Sequence, residues 1–433
     1  MTKGKNMPTM ISKGNEKTSL TPNEKKDLLA KFLAKTGVEP KKVLIIPPDI
    51  TRFNSGAGEL TAILYKLFKN AQIDIIPALG THAPMTEKEI RHMFGPEIPL
   101  ERFFVHDWRR SLVHRGDVPG GLIKEWSEGK LDYSVKIEVN KMLFEGYDLI
   151  LSVGQIVPHE VVGMANYTKN ICVGVGGEDT INKSHFLGAV YGMERIMGRA
   201  DTPVRKLFNY GCEKFLGELP IYYILSVMQK DSETGKMAMR GIYAGNDMDT
   251  FREGAELSRK VNLELLEKPL RKVVVFLDPG EFKSTWLGNK SIYRTRMAIA
   301  DAGELIVLAP GLKEFGEDPE IDWLIRKYGY RGTPSTLEAV RKNADLRGNL
   351  SAAAHLIHGS SEGRFSITYC PGDKIPLEDL RKAGFKTEKY SVMAEKYNPS
   401  SLSDGFNILP DGEEIFYISN PGLGLWALKE KFA

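Results

Sequence analysis

The sequence is poor in cysteine and in long apolar runs. Its three cysteines are scattered without CxxC spacing, so neither a disulfide framework nor a zinc knuckle is predicted. No uninterrupted apolar run approaches the ~18 residues of a membrane span. Residues 1–25 are polar and lack the apolar core of a signal peptide. We therefore predict a soluble, cytoplasmic protein.

The chain also lacks a strong excess of either charge. Its 59 Lys and Arg residues oppose 56 Asp and Glu residues, which gives a formal net charge of +3. No basic run indicates a nucleic-acid surface, and we expect neither nucleic acid nor a membrane as a partner. With 433 residues, the chain is long enough for two or three domains.

What the sequence does contain is a regular alternation of short apolar runs and longer amphipathic stretches. The apolar runs lie at 42–49, 73–82, 148–154, 222–229, 273–280, 304–311, 365–372 and 414–420. Apolar strands that alternate with helices predict parallel sheets covered on both faces. We predict the α/β class with two domains, each a mostly parallel sheet flanked by helices, and an active site in the interdomain cleft. The predicted parts are a flexible N-terminal arm (1–25), a cofactor-carrying domain (26–267) and a domain that closes the substrate cleft (268–433).

Polar residues follow several of these runs, where ligands of open α/β sheets collect. His82, His106 and His159 each come after an apolar run. Two such histidines could face each other across a cleft and exchange protons with opposite sides of a substrate. Asp49 and Arg52 follow the first run, and the planar fork of an arginine suits a carboxylate. The alternatives are histidines bonded to neighbouring loops and a local Asp–Arg capping pair.

The segment after His159 carries a lysine and a glycine-rich turn. Lys169 precedes the apolar run at 171–175, and a desolvated lysine is usually functional; a snorkelling surface lysine is the alternative. In VGVGGE (173–178), Gly174, Gly176 and Gly177 could hold a phosphate at a helix N-terminus. A tight turn is the alternative. HEVVG (159–163) lacks the second histidine of the zinc-protease motif.

Taken together, these motifs resemble the lactate racemase family, whose members use a nickel-pincer nucleotide. The D-x-T-R element reads Asp49 to Arg52, and the G-x-H-x-P element reads Gly80 to Pro84. An H-x9-K-x15-H spacing is formed by His159, Lys169 and His185.

The resemblance implies a racemase or epimerase that inverts C2 of a 2-hydroxy acid by hydride transfer to and from that cofactor. Lys169 would attach the nucleotide covalently, and His185 would complete the coordination of nickel. His82 and His159 would be the acid/base pair. The remaining implied parts are Arg52 and Lys290 as substrate-carboxylate ligands, Asp49 beside Arg52 as a further substrate-binding residue, and the proteins that synthesise and insert the cofactor.

Three departures from the family pattern bear on the substrate and on the anchoring lysine. Asn166-Tyr167-Thr168 stands where the family has Gly-Gly-Arg before the lysine. Leu287 and Leu350 stand where lactate-specific members have glutamine and tryptophan. Polar residues lie nearby: Asn289, Arg347, Asn349 and Ser351. We therefore expect a longer, more polar substrate, such as an aldonic or another polyhydroxy acid. The alternative is that these polar residues are helix caps and turns.

Two other functions share parts of this pattern. An NAD(P)-dependent 2-hydroxyacid dehydrogenase would share the hydride chemistry, but the sequence lacks GxGxxG and carries Lys169 instead. A non-catalytic carboxylate-binding protein would share the fold, but it would not require the complete His–Lys–His set.

Overall fold

The computed structural model describes residues 9–231, 234–422 and 424–432. The chain divides into two compact units, one ending at Asn262 and the other beginning at Leu263. Gly188–Arg195 is grouped with the second unit. The predicted boundary, between residues 267 and 268, lies a few residues beyond the observed one, because a strand and not a continued helix begins at Leu263.

The elements up to Asn262 are, in chain order, β1 (Ile11–Gly14), α1 (Pro22–Thr36), β2 (Lys42–Ile46), α2 (Ala57–Leu67), β3 (Gln72–Ile75), α3 (Glu87–Phe94), β4 (Leu112–Val118), α4 (Gly120–Trp126), β5 (Val135–Asn140), β6 (Leu149–Gln155), β7 (Pro158–His159), β8 (Gly163–Met164), α5 (Glu178–Tyr191), α6 (Met193–Ile196), α7 (Pro203–Phe215), β9 (Ile221–Lys230), β10 (Met237–Gly245) and α8 (Met248–Asn262). Short 3-10 segments lie at Ile50–Ser55, Leu100–Arg102 and Lys141–Phe144, and a π-helical turn lies at Asn170–Gly174.

The first unit is built on a six-stranded sheet of order β1-β10-β9-β6-β2-β3. The four strands β9, β6, β2 and β3 run parallel to one another. Their side chains are mostly apolar and buried, which requires helices on both faces of the sheet. Because β6, β2 and β3 are adjacent and parallel, the loops that carry His159, Asp49 and His82 leave the same edge.

The antiparallel part of this sheet was not predicted. β9 and β10 form a long hairpin, and β1 pairs with the outer side of β10. The predicted flexible arm is therefore wrong for its described part, because Ile11–Gly14 is hydrogen-bonded in the sheet. Met10 and Leu20 are buried in the core of the unit. Residues 1–8 of that predicted arm lie outside the described residues.

The elements from Leu263 are β11 (Leu263–Leu266), β12 (Leu270–Phe276), α9 (Thr285–Gly288), α10 (Lys290–Thr295), β13 (Ile299–Ala309), α11 (Pro319–Tyr328), α12 (Thr333–Lys342), α13 (Ala344–Gly348), α14 (Leu350–His358), β14 (Ser366–Pro371), α15 (Leu377–Lys382), β15 (Lys386–Thr387), α16 (Tyr390–Lys396), β16 (Gly405–Ile408), β17 (Glu414–Ile418), β18 (Leu425–Leu428) and a 3-10 segment at Lys429–Phe432. A six-stranded sheet of order β15-β14-β13-β12-β17-β16 forms the centre of the second unit.

Four of the five strand pairings in this second sheet are parallel, and only β16–β17 is antiparallel. The predicted α/β class, with a mostly parallel sheet flanked by helices in each part, is confirmed. None of the helices in the described part of the chain is both long and apolar enough to span a membrane.

Candidate active site

Lys169 lies immediately before the π-helical turn at Asn170–Gly174 and is half-buried. The backbone before it is unusual, because Asn166 and Tyr167 have φ angles of 66° and 58°. Residues other than glycine rarely adopt this left-handed backbone conformation, which costs of order 1–3 kcal/mol per residue. Positions 166 and 167, where the family has two glycines, are therefore positions whose backbone conformation favours glycine.

The Lys169 amine is held in a poorly solvated and positively charged environment. Burial and the charge of Arg52 together lower its pKa to about 8 from the ordinary value of 10.5, against the opposing effect of the carboxylates of Glu160 and Asp49. A lysine with such a pKa has a substantial neutral fraction near physiological pH, and the neutral amine is the nucleophilic form. The structure thus gives Lys169 the reactivity that a covalent anchor requires.

The same environment makes Lys169 costly for the fold. Its folded pKa of about 8 lies below its ordinary value of 10.5, so the unfolded chain binds more protons between these values and stability rises with pH there. We expect Lys169→Met to stabilise the cofactor-free protein at pH 7 by on the order of 2–3 kcal/mol. The gain should shrink as the pH rises through this window, which urea unfolding at pH 7 and near pH 10 will measure.

The exposed Lys206, on α7 of the same unit, provides the control for this measurement. Lys206→Met should leave the free energy of unfolding almost unchanged at both pH values. Equal stability of wild type and Lys169→Met at pH 7 would contradict the burial of the Lys169 charge.

His185 lies on α5, and its ring is oriented by the helix backbone. Its Nδ1 lies 2.6 Å from the carbonyl oxygen of Ile181, one turn earlier, and donates a hydrogen bond to it. Burial and the nearby Lys169 lower the pKa of His185 to about 4. The ring is thus neutral with its hydrogen on Nδ1, which leaves the Nε2 lone pair for a metal, as is usual in metal-binding histidines.

His159 is similarly buried, but its hydrogen lies on the other nitrogen. The backbone N–H of Val161 donates to its Nδ1 at 3.1 Å, so the neutral ring carries its hydrogen on Nε2. Burial, together with the charges of Lys169, His185 and Arg52, lowers the pKa of His159 well below the ordinary value, against the opposing effect of Glu160. A neutral His159 therefore presents an N–H donor through Nε2.

His82 and Asp49 form an oriented pair. The Nδ1 of His82 lies 2.6 Å from one Asp49 carboxylate oxygen, and the other oxygen accepts bonds from the backbone and hydroxyl of Thr51. Burial alone would raise the pKa of Asp49, but the hydrogen bonds from His82 and Thr51 bring it below its usual range. Asp49 thus stays ionised. It holds the His82 ring so that the Nε2 lone pair of His82 points away from Asp49.

These contacts change the expected role of Asp49. Both of its oxygens have partners within the protein, and its side chain is only 5% exposed. An ionised carboxylate also repels the carboxylate of a 2-hydroxy acid. The geometry therefore favours a role of Asp49 in orienting His82, and contact of Asp49 with the substrate stays a prediction. Arg52, which is exposed, retains a charge that could bind a substrate carboxylate.

Electrostatic interactions join the predicted residues of the first unit into one cluster. Lys169 interacts with Arg52 and Asp49, and His159 interacts with Lys169 and His185. His82 joins through Asp49. The cluster consists of Asp49, Arg52, His82, His159, Lys169 and His185. Lys290 begins α10 of the second unit, with its amine 5.6 Å from the centre of the Phe282 ring; its role toward the substrate stays a prediction.

The three predicted cofactor-binding glycines are explained by close packing. A Cβ at Gly174 would lie 2.6 Å from Ala78, and one at Gly176 would lie 1.8 Å from the carbonyl oxygen of Cys172. The N–H groups of Gly176 and Gly177 already donate to backbone carbonyls. These contacts favour the tight turn over the phosphate cradle, and contact of the three glycines with a cofactor stays a prediction.

The polar residues predicted to meet a longer substrate have partners inside the second unit. The buried amide of Asn289 accepts a hydrogen bond from the Tyr369 hydroxyl at 2.8 Å. Asn349 caps α14 through the Ala352 N–H at 3.0 Å, and Arg347 donates to the Arg341 carbonyl. These contacts favour the alternative of caps and turns. Leu287 and Leu350 are half-buried at the ends of short helices.

His106 has a structural role that the sequence left open. Its Nε2 lies 3.0 Å from the Gly176 carbonyl, and its Nδ1 lies 3.0 Å from the Asn140 amide. Both nitrogens thus join parts of the fold, and burial lowers the pKa of His106, so the ring is neutral. Sequence reasoning missed Arg205, which is buried and bonded to the loop before Lys169. Its only signal was an arginine on an otherwise apolar helix face.

The fold and site together define a two-unit α/β protein with an oriented histidine and a low-pKa lysine beside two further histidines. Residues 24–196 match the family model of the lactate racemase N-terminal domain. This match confirms the resemblance to the lactate racemases.

A lactate racemase of Thermoanaerobacterium thermosaccharolyticum is 26% identical over 283 residues, 62% of this chain and 60% of the relative. The match therefore spans about three fifths of that relative's length.

Two solved structures share the fold. A protein of Thermotoga maritima, solved by a structural genomics consortium, has a TM-score of 0.79 and 24% identity, covering 96% of this chain and 100% of its own. The lactate racemase apoprotein of Thermoanaerobacterium thermosaccharolyticum has a TM-score of 0.71 and 18% identity, with 97% and 95% coverage.

Proposed function

We propose that this protein is a racemase or epimerase that inverts C2 of a 2-hydroxy acid with a nickel-pincer nucleotide attached at Lys169. The observation that carries the proposal is the cluster itself. It joins a lysine with a pKa of about 8, a histidine with an available Nε2 and an Asp-oriented histidine. These groups lie in a lactate racemase N-terminal domain.

The donor groups present fit such a cofactor. Among the described residues, no group of three or more His, Cys, Asp or Glu side chains could hold a metal by itself. A metal bound through His185 would therefore need further donors from the cofactor, and imidazole with sulfur donors suits nickel. The neutral Lys169 amine supplies the covalent attachment point. When bound, the pyridinium ring of the cofactor would supply the hydride acceptor for the reaction.

The residues of this chain would handle the carboxylate and the protons. Arg52, exposed at the edge of the cluster, would bind the substrate carboxylate. His82 would take the proton of the C2 hydroxyl through Nε2, and Asp49 would stabilise the resulting imidazolium. His159 would donate a hydrogen bond from Nε2 to the C2 oxygen, and its action as the opposite acid/base group stays a prediction. The partial burial of His159 and Lys169 limits water at the reacting atoms.

The proposal extends to the wider group of 2-hydroxy acids. The expectation of a longer polyhydroxy acid now rests on Leu287 and Leu350, because Asn289, Arg347, Asn349 and Ser351 all have partners within the protein. The proteins that synthesise and insert the cofactor are the further partners that this proposal requires.

The test is to express the full chain in a host that makes the cofactor and to measure its mass and its activity. We expect a covalent adduct on Lys169, bound nickel, and inversion of at least one enantiomerically pure 2-hydroxy acid in a panel that includes lactate and a six-carbon aldonate. Activity that depends on added NAD(P), without an adduct, would favour the dehydrogenase. Binding without turnover by loaded protein would favour the carboxylate-binding protein.

The Asp49–His82 pair gives a sharper test of the proton chemistry. Asp49→Asn keeps an acceptor for the His82 Nδ1–H but removes the negative charge that stabilises the imidazolium. We expect kcat to fall by about 10–100-fold with adduct, nickel content and KM nearly unchanged. Steady-state kinetics on loaded protein will measure this fall. A kcat equal to that of the wild type would show that Asp49 has no part in the proton transfer.

A further inference from the structure

Arg205 is among the largest fully buried side chains of the protein, with 1% of its surface exposed. It lies on α7, and its guanidinium packs 4.3 Å from the centre of the Phe251 ring. A buried arginine requires partners for its N–H groups. The hydrogen-bond partners of its Nη1 and Nη2 groups lie in one short segment, residues 164–168.

The guanidinium bonds to three successive parts of that segment. Nη2 donates to the Met164 carbonyl at 2.7 Å, and Nη1 donates to the Asn166 carbonyl at 3.0 Å and to the Thr168 hydroxyl at 2.9 Å. The bonds therefore begin before the two left-handed residues and end after them. They stop one residue short of Lys169.

The start of α7 reinforces this connection. The Thr202 hydroxyl caps the helix by accepting the Arg205 N–H, and it donates to the Val162 carbonyl at 3.0 Å. The Tyr167 ring packs between Tyr223 and Phe251, with ring centres 4.3 Å and 5.3 Å away. The left-handed segment is thus hydrogen-bonded on one side and packed against aromatic rings on the other. Such contacts allow a strained backbone conformation to persist.

We propose that Arg205 is a positioning residue that holds the left-handed Asn166–Tyr167 backbone, so that Lys169 enters the cluster at the place where the cofactor is attached. This inference rests on the proposed function. In this chain, the guanidinium of Arg205 restrains a backbone conformation that two glycines would adopt without strain.

We predict that replacing Arg205 lowers cofactor attachment and that a glycine at position 166 restores it. Full-length protein is expressed with the cofactor-synthesis proteins, and the occupancy of Lys169 is measured by peptide mass spectrometry. We expect Arg205→Met to lower occupancy about tenfold or more, the loss that outer-shell partners typically cause. Because glycine accepts the left-handed conformation without strain, Arg205→Met combined with Asn166→Gly should recover most of the adduct. A purely structural role of Arg205 would not be repaired in this way.

Arg240 provides a matched control. It is also a buried arginine of the first unit, bonded to Gln229, Asp231 and the Thr18 carbonyl. Arg240→Met should retain the adduct. In the unloaded proteins, hydrogen exchange over residues 163–170 should accelerate in Arg205→Met and stay unchanged in Arg240→Met. If Arg205→Met does not fold, Arg205→Lys, which keeps the charge but loses the fork, takes its place with the same expected repair.

The outcomes separate the two proposals. A wild type that never carries an adduct, although the host makes the cofactor, overturns the proposed function. A loaded wild type with an equally loaded Arg205→Met overturns the role of Arg205. Loss of the adduct without recovery by Asn166→Gly also overturns it.

Discussion

Replacing Lys169 by alanine will abolish the covalent adduct and, with it, the inversion of any 2-hydroxy acid. The reason is that the Lys169 amine combines a pKa of about 8 with a place beside His159 and His185. We expect intact mass to show no adduct and activity to fall to the background of the assay. The fold should persist, because removing a partly buried charge relieves the protein of a desolvation cost.

Two companion variants make this result specific. Lys183 lies on α5 near His185 in sequence and pairs with Asp179 at 2.6 Å, so Lys183→Ala should keep the adduct. His185→Ala should lower the nickel content and leave the organic part attached. An adduct of wild-type mass on Lys169→Ala would contradict the assignment of the anchor.

Replacing His82 by glutamine should give the second large effect. Glutamine retains polarity but cannot accept and return a proton, and general acid–base groups contribute about 10²–10⁴-fold to a rate. We expect kcat to fall by that factor in both directions of the inversion, with adduct and nickel intact. Single-turnover and steady-state rates on loaded protein will measure it.

The control for this variant is another histidine–aspartate pair of the first unit. His114 on β4 lies 3.2 Å from Asp117, and both side chains are about half exposed. His114→Gln should leave kcat unchanged. If His82→Gln inverts the substrate as fast as His114→Gln, the proton must be taken by another group.

Much of the architecture follows from local apolar patterns. The runs that predicted strands at 42–49, 148–154 and 304–311 overlap with β2, β6 and β13, because central parallel strands must be apolar on both faces. The pairing of β1 with β10 could not be predicted in this way. It depends on a contact between residues more than two hundred positions apart, and four residues carry little periodicity.

The site was predictable as a set of residues, but its chemical states were not. Spacing indicated His82, His159, Lys169 and His185. The ring nitrogen that carries the hydrogen in each histidine depends on hydrogen bonds with Asp49, Val161 and Ile181, which only the folded chain forms. For the same reason, the contact between Asp49 and His82 was not predicted. The hydrogen bond between Asn289 and Tyr369 could not be predicted either, since the two residues are 80 positions apart.

The left-handed pair before Lys169 has a consequence for how relatives of this protein are sought. A search pattern written in letters, with two glycines before the lysine, passes over this chain at Asn166 and Tyr167. A pattern written in backbone angles would retain it, because φ is positive at both positions. Divergent members are therefore better recognised by pairing two positive φ values before a lysine with a buried arginine on a later helix, whatever letters occupy the loop.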